Sequence, residues 1–366
     1  MTMKDEKLLA ILRLQATKNI GDITAKKLIS ACGSPEQVFK EPLSNLLKIQ
    51  GINNYVLQHI FDKKNYKKAE AELLFLNHSN YNYHYFFDDD YPYNLKHCFD
   101  APILIFTDGN ICLNTKRIIS IVGTRTITNY GRNFCNKIIK ELAPYQPIIV
   151  SGFAYGVDIC AHKAAIDNKL QNIAVLAHGL EKIYPKAHKK YIQEINSNGG
   201  FITDFWHEEN PVRENFLKRN RIVAGISKAT IVIESGKKGG ALVTADIANS
   251  YNRDVFAVPG RANDEYSKGC NNLIKNNSAH ILTSTEDLVT MLNWDVCEKR
   301  IKQTSLFVNL NKQEQQILDY LSKEGKKHFD VIARYCNIPV YQLSSILLEM
   351  ELNGVIKPLP GKCFEV

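Results

Sequence analysis

The apolar positions change rhythm twice along the chain. Leu8, Leu9, Ile11, Leu12 and Leu14 open a block with helical spacing that continues to about Tyr83. Two segments of it echo one another. Asn19-Ile20-Gly21 precedes Ala25, Leu28 and Ile29, and Gly51-Ile52-Asn53 precedes Val56, Leu57 and Ile60. Glycine and asparagine best tolerate positive φ, so each segment predicts a tight turn opening an apolar helix. The pair reads as a helix-hairpin-helix (SAM-like) domain. Such turns either present helix N-terminal N–H groups to a phosphate or simply pack one helix on another.

From His84 to Asn293 short apolar runs alternate with helical patterns. The runs are Arg117–Val122, Pro147–Val150, Asn172–Leu176, Phe201–Thr203, Ala229–Ile233 and Val255–Val258. Tyr130–Leu142, Val157–Asp167, Ala187–Ser197 and Ala241–Ser250 are the helical segments. This alternation predicts βαβ units in a doubly wound, mainly parallel α/β sheet, whose strands are apolar on both faces. The aromatic, turn-rich stretch His84–Asn110 reads as a lead-in to it. A polar linker, residues 294–305, follows. Gln313–Leu321, Phe329–Tyr335 and Val340–Leu352 then predict helices, and two short strands flank Pro360-Gly361, a winged-helix pattern. The expected division is thus 1–83, 84–293, 294–305 and 306–366.

Composition narrows the function classes. Of 366 residues, 45% are hydrophobic and 23% charged, which excludes a disordered, collagenous or rod-like chain. Lys+Arg 46 against Asp+Glu 38 gives +8, compatible with a polyanionic partner without requiring one. The nine cysteines include no C-x-x-C pair, so no zinc site is expected and the thiols read as reduced. Met1–Lys7 is charged and lacks an export-type apolar region, and no run of about 18 apolar residues occurs. A cytoplasmic protein without membrane contact, metal or cofactor is expected.

The chemistry concentrates in the turns after the strands. In open parallel sheets, ligands bind at the carboxyl ends of the strands. Gly123-Thr124-Arg125, Ser151-Gly152, His178-Gly179, Gly236-Lys237-Lys238-Gly239-Gly240 and Pro259-Gly260-Arg261 all fall there. Glycines allow close backbone approach and exposed N–H groups favour anions. Arg125, Lys182, Lys186, Lys218, Arg219 and Arg221 add cations, with Asn220 between the last two. No G-x-G-x-x-G, P-loop, G-x-S-x-G or H-E-x-x-H motif is present, which disfavours dinucleotide, NTPase, serine-hydrolase and zincin chemistry. Glu234 at a strand end, Asp158 in a first helical turn and His162 among alanines are the catalytic candidates. Each has a structural explanation: a carboxylate held by turn amides, an acid complementing a helix dipole, a buried histidine. Tyr155 and Tyr184 lie in rim turns, placed to stack on bases or to plug the sheet edge. No catalytic residue is assigned.

These motifs resemble, in order and spacing, the DNA-processing protein A (DprA/Smf) family. The matching segments are Val122-Gly123-Thr124-Arg125, Tyr130-Gly131, Ser151-Gly152-Phe153-Ala154-Tyr155-Gly156-Val157-Asp158 with Ala161-His162, and Tyr184-Pro185. Arg219–Gly225, Gly239–Ala245, Ala257-Val258-Pro259-Gly260 and Gly269, Asn271, Leu273 and Ile274 continue the match. The resemblance implies an extended Rossmann domain that binds single-stranded DNA, protects incoming strands in natural transformation, helps load the RecA recombinase and dimerises through that domain, without established catalysis. It implies DNA-contact roles for Arg125 and Lys186, and an Arg-Asn-Arg pocket at Arg219–Arg221. The expected DNA-binding set is Gly123, Thr124, Arg125, Ser151, Gly152, Lys182, Lys186, Lys218, Arg219, Asn220, Arg221, Lys238, Gly239 and Gly240.

Departures touch the contacts. Thr124 stands for a usual Ser, Tyr155 for a common Arg, Glu181 for an Asp and Ala241 for a Ser. Two other functions fit parts of the pattern: a phosphoribohydrolase-type nucleotide hydrolase acting through Glu234, and a winged-helix regulator of duplex DNA. Val340–Leu352, the third helix, carries Gln342, Ser344, Ser345, Glu349 and Glu351 but no Arg or Lys, so it lacks a duplex reader's charge and suits protein contact equally. Ile281, Leu288, Met291 and Leu292 are candidates for the dimer surface.

Overall fold

The computed structural model describes residues 2–115, 117–294, 310–353 and 355–366. The chain forms two compact units that divide within residues 295–309. All of the expected linker except Trp294 lies outside the described residues.

The first unit begins with α1 (Met3–Ala16) and α2 (Asp22–Cys32), three single turns α3 (Pro35–Val38), α4 (Leu43–Leu46) and α5 (Asn54–Leu57), and α6 (Lys63–His78). Thr2 caps α1 through a capping box with Asp5, satisfying two N-terminal donors. Both hairpin turns form, with a different residue in the left-handed region in each: Asn19 at φ 69° in the first, Gly51 at φ 82° in the second. The Asn19 side-chain amide donates to the Tyr55 carbonyl at 3.1 Å, tying the two turns together.

Next come β1 (Asn82–Tyr85), α7 (Tyr93–Lys96), β2 (Leu104–Gly109), β3 (Ile118–Val122), α8 (Asn129–Leu142), β4 (Ile148–Ser151), α9 (Val157–Asp167), β5 (Asn172–Val175), α10 (Ile192–Ser197) and β6 (Gly199–Thr203). The unit ends with α11 (Arg213–Ile226), β7 (Ala229–Val232), α12 (Gly240–Ser250), β8 (Asp254–Ala257), α13 (Lys268–Lys275), β9 (His280–Ile281) and α14 (Thr285–Met291). The nine strands make one sheet in the order β1-β2-β6-β5-β4-β3-β7-β8-β9. All pairs from β6 to β9 are parallel, and β1–β2 and β2–β6 are antiparallel. The stretch expected as a lead-in therefore supplies two strands of the sheet. The expected helix Ala187–Ser197 is a 3₁₀ segment, Lys186–Tyr191, followed by α10.

Period-two burial explains the layers. On β3, Ile119 and Ile121 pack toward α8, α9 and α14, whereas Ile118 and Val122 pack toward α11, α12 and α13. The helical block covers the antiparallel edge. Leu12, Leu28, Leu57 and Leu73 share an apolar core with Tyr85, Leu104 and Phe106.

Polar contacts lock this block in place. Asp22, at the start of α2, accepts from the Ile103 N–H at 2.9 Å and pairs with Arg221 at 2.9 Å. Arg221 also pairs with Asp204, whose side chain is 8% exposed. His207 donates its backbone N–H to the buried Glu72 of α6 at 3.1 Å.

The second unit contains α15 (Lys312–Glu324), β10 (Lys327–His328), α16 (Phe329–Cys336), α17 (Val340–Leu352), β11 (Lys357–Leu359) and β12 (Cys363–Glu365). Asn311 and Glu314 form a capping box on α15. Its core is Ile317, Leu321, Ile332, Leu343, Leu347, Met350 and Ile356. The expected hairpin gains β10 as a third strand, in the order β10-β12-β11, completing a winged helix.

The buried pair generates a stability prediction. Arg221→Met strands Asp204 and loosens Asp22, and should cost about 3–5 kcal/mol. Lys218→Met, exposed on the same helix, should cost under about 0.5 kcal/mol. Urea unfolding of the two variants checks this; equal midpoints would contradict it.

Candidate nucleic-acid interface

A cavity of about 660 Å³ opens at the carboxyl ends of β3, β4 and β7, beneath the helix α11. Its floor depends on the absence of side chains. A Cβ on Gly152 would run into the Arg219 guanidinium, and one on Gly123 into Val157. Gly152 thus leaves room for a buried cation. Arg219 is 5% exposed and donates from Nη1 to the Val175 carbonyl at 2.5 Å. Its Nε is buried with no partner among the described residues. Asp158, also buried, lines the same cavity and accepts from the Ala154 N–H at 3.3 Å. Burial pushes the Asp158 carboxyl up and the Arg219 guanidinium down, and each charge opposes the other's shift. The floor is therefore a buried, mutually balanced pair of opposite charges.

The rim is cationic and aromatic. Arg125 lies over the Phe216 ring, 5.3 Å from its centroid, and Tyr184 meets the same ring edge-on at 5.7 Å. Arg213, Lys238 and Asn220 complete the polar wall. Gly239 and Gly240 begin α12, whose N-cap has no side-chain hydrogen bond. This leaves free amides at its positive end, where an anion is favoured.

Of the expected residues, Gly123, Thr124, Arg125, Gly152, Arg219, Asn220, Lys238, Gly239 and Gly240 come together around this cavity. Ser151 does not reach it. That residue is wholly buried, and its hydroxyl donates to the Ile121 carbonyl at 2.6 Å. Lys182 and the exposed Lys186 lie on the segment around Tyr184-Pro185, outside the cavity lining. The Arg-Asn-Arg run splits by helical phase. At about 100° per residue, a residue two places on turns to the far side. Arg219 and Asn220 line the cavity, whereas Lys218 and Arg221 line a second cleft behind α11. Arg221 is thus a structural ion-pair partner, not a cavity wall.

The turns divide in the same way. His178-Gly179 and Pro259-Gly260-Arg261 stay out of the cavity. Gly260 instead exchanges hydrogen bonds with the Asn271 side chain at 3.0 and 3.1 Å.

Sequence reasoning missed Arg213, Phe216 and Leu217. The available signal was the i, i+3 spacing of Arg213, Phe216 and Arg219 on one helix face. Of the catalytic candidates, Glu234 and His162 take structural places, whereas Asp158 lines the cavity floor. Glu234 is buried and accepts from the Thr128 N–H at 2.9 Å and the Thr128 hydroxyl at 2.5 Å. His162 is fully buried, with Nδ1 against Asn172 Oδ1 at 2.9 Å. Tyr155 is half exposed and packs on His188 rather than in the cavity. Among the described residues no cluster of three or more His, Cys, Asp or Glu suits a metal ion, and no helix is long and apolar enough to cross a membrane.

A doubly wound sheet with a cationic, aromatic-walled pocket at its carboxyl edge, followed in the chain by a winged-helix unit, defines a Rossmann-like protein of two units. Residues 82–293 match the family described as DNA recombination-mediator protein A, and residues 308–362 match the DprA winged helix domain. The chain belongs to the DNA recombination-mediator protein A family. It is 38% identical to the DNA processing protein DprA of Streptococcus pneumoniae over 55% of this chain and 71% of that one. It is 31% identical to protein Smf of Escherichia coli over 81% of this chain and 80% of that one. The solved S. pneumoniae DprA structure superposes with a TM-score of 0.67 at 29% identity, covering 81% of this chain and 99% of that chain. A DprA structure from Helicobacter pylori, described for its single-stranded DNA binding mode, gives 0.54 at 28% identity and covers 60% and 99%.

Three buried histidines around the floor generate a pH prediction. Burial depresses His162 to about 4, and depresses His178 and His188 as well. A depressed folded value means that the unfolded chain takes up protons first as pH falls below about 6.5. The histidine contribution to stability should therefore be full above pH 6.5 and shrink toward pH 4, with His162 alone accounting for about 3 kcal/mol, while the raised Asp158 and Asp204 carboxyls act in the opposite sense. Urea midpoints at several pH values, for the native chain and His162→Gln, check this. The variant should show the shallower acid slope; identical slopes would contradict the assignment.

Proposed function

We propose that this chain binds single-stranded DNA in the α11 cavity and acts as a recombination mediator. In this role it protects incoming strands in natural transformation and helps load RecA on them. The observation that carries the reading is the wall formed by Arg125, Phe216 and Arg213 above a charge-balanced floor. A half-buried aromatic ring lining the cavity beside cations suits a base and its phosphates without reading base identity. Family membership and the H. pylori structure described by its single-stranded DNA binding support the same reading. A hydrolase acting through Glu234 has less support, because both carboxylate oxygens are engaged with Thr128. Duplex reading by α17 lacks the cations it needs.

Dimerisation through the Rossmann domain belongs to the proposal. The short outer strand β9 has both residues exposed, with Ile281 50% exposed, and it is the last strand of the sheet among the described residues, which suits pairing with a second copy. Met291 is exposed nearby in sequence, whereas Leu288 is buried in the core and is not a surface candidate.

Binding should be insensitive to sequence and sensitive to salt. With about three to five phosphates contacted, the log–log slope should be roughly −2 to −4. Arg125→Ala should weaken binding to all sequences alike and flatten that slope. Phe216→Ala should weaken binding by about 1–3 kcal/mol, with Phe216→Tyr retaining most of it. Fluorescence anisotropy at two salt concentrations reads all three effects. Undiminished affinity of both alanine variants would overturn the site.

A further inference from the structure

Four lysines, Lys63, Lys64, Lys67 and Lys68, fill the first two turns of α6. All four are exposed. Among the described residues none of them has an ion-pair or hydrogen-bond partner. Their placement works against the helix. Positive charge at an N-terminus opposes the macrodipole, and Lys63/Lys67 and Lys64/Lys68 are like-charge i, i+4 pairs. The first turn holds no acidic residue, and Asp62 at the N-cap makes no capping bond, its carboxylate meeting His59 Nδ1 at 3.0 Å instead. A purely solvating face has no need of this arrangement, since alternating charges dissolve a protein as well.

The cluster adjoins the site already described. Lys68 and Lys218 both line the cleft of about 890 Å³ behind α11, and Leu217 lines both this cleft and the cavity described above. The deep end of the cleft is acidic but largely engaged. Asp22 and Asp204 pair with Arg221, and Asp100 accepts from the Tyr251 hydroxyl. Asp204 Oδ1 has no partner among the described residues, and Glu209 also lines the cleft. Phosphates would therefore avoid the floor and follow the basic rim from Lys218 to Lys68.

We propose that α6 carries a second, backbone-gripping part of the single-stranded DNA interface. A strand leaving the cavity at Phe216 crosses Leu217 and Lys218, and its phosphates seat on the lysines of α6. This rests on the function proposed above and extends it to a longer footprint, in which strand length adds affinity through charge alone.

The test uses the full chain and the Lys63→Gln/Lys64→Gln/Lys67→Gln/Lys68→Gln variant, with labelled oligothymidylates of about 5 and about 30 nucleotides. The short strand fills the cavity only, so the variant should bind it within twofold of the native chain. The long strand should bind at least tenfold more weakly, with a salt slope less negative by roughly 2 to 3, at about 0.7 per phosphate contact. The melting temperature should hold or rise, because repulsion at the helix N-terminus is removed. Unchanged long-strand affinity and slope would overturn the proposal. So would lysine-dependent binding to vesicles of phosphatidylserine and phosphatidylcholine alongside an unaltered long-strand affinity. Arg125→Ala, run in parallel, should weaken both lengths. If it leaves the short strand untouched while the α6 variant loses the long one, the cavity reading fails and the α6 surface stands.

Discussion

A guanidinium buried against a glycine organises the site. Arg219 occupies space that any side chain at position 152 would fill, is braced by the Val175 carbonyl and is balanced by Asp158. An isolated charge at that depth would be expelled or neutralised. Here α9 supplies the counter-charge and β5 the hydrogen-bond acceptor. The two halves of the sheet edge are fixed relative to α11, which then presents Arg213 and Phe216 to the cavity mouth. The floor is close to neutral, so the cavity's net positive charge comes from Arg125, Arg213 and Lys238 at the rim.

The same helix serves a second purpose on its other side. Arg221 ties α11 to Asp22 of the helical block and to Asp204 beyond β6. The first hairpin turn therefore ends in a domain contact, and the carboxylate at its helix start is engaged with Arg221 and Ile103. The hairpin pattern in the sequence is real, and its physical outcome is attachment. The concentrated positive charge of the helical block lies instead at the start of α6, where four lysines have no ion-pair partner among the described residues.

Most of the fold was legible because its grammar is local. The strands β3, β4, β5 and β7 are wholly buried, so their Ile- and Val-rich runs stand out, and helices of ordinary length separate most of them. The winged helix was equally plain from its three periodic segments and the turn at Pro360-Gly361. What could not be read depends on distant partners. β1 and β2 are strands because β6 offers an antiparallel edge, and Tyr83 and His84 fall on either side of the expected domain boundary within one strand. In the cavity, Gly123, Gly152, Gly239 and Gly240 gather with Arg125 as the sequence suggests, whereas the turns at Gly179 and Gly260 stay outside it. Which of Arg219 and Arg221 lines the cavity is set by helical phase and by carboxylates far away in sequence. Phe216 was overlooked because an aromatic inside a helix ordinarily signals core, whereas here it lines an open mouth.

Amide hydrogen exchange with and without a saturating oligothymidylate tests the central claim most directly. Exchange should slow in three separated segments together, around Gly123–Arg125, Arg213–Asn220 and Lys238–Ala241, while the third winged-helix segment, Val340–Leu352, stays unchanged. Protection confined to Val340–Leu352, or absent from the three sheet-edge segments, would contradict it.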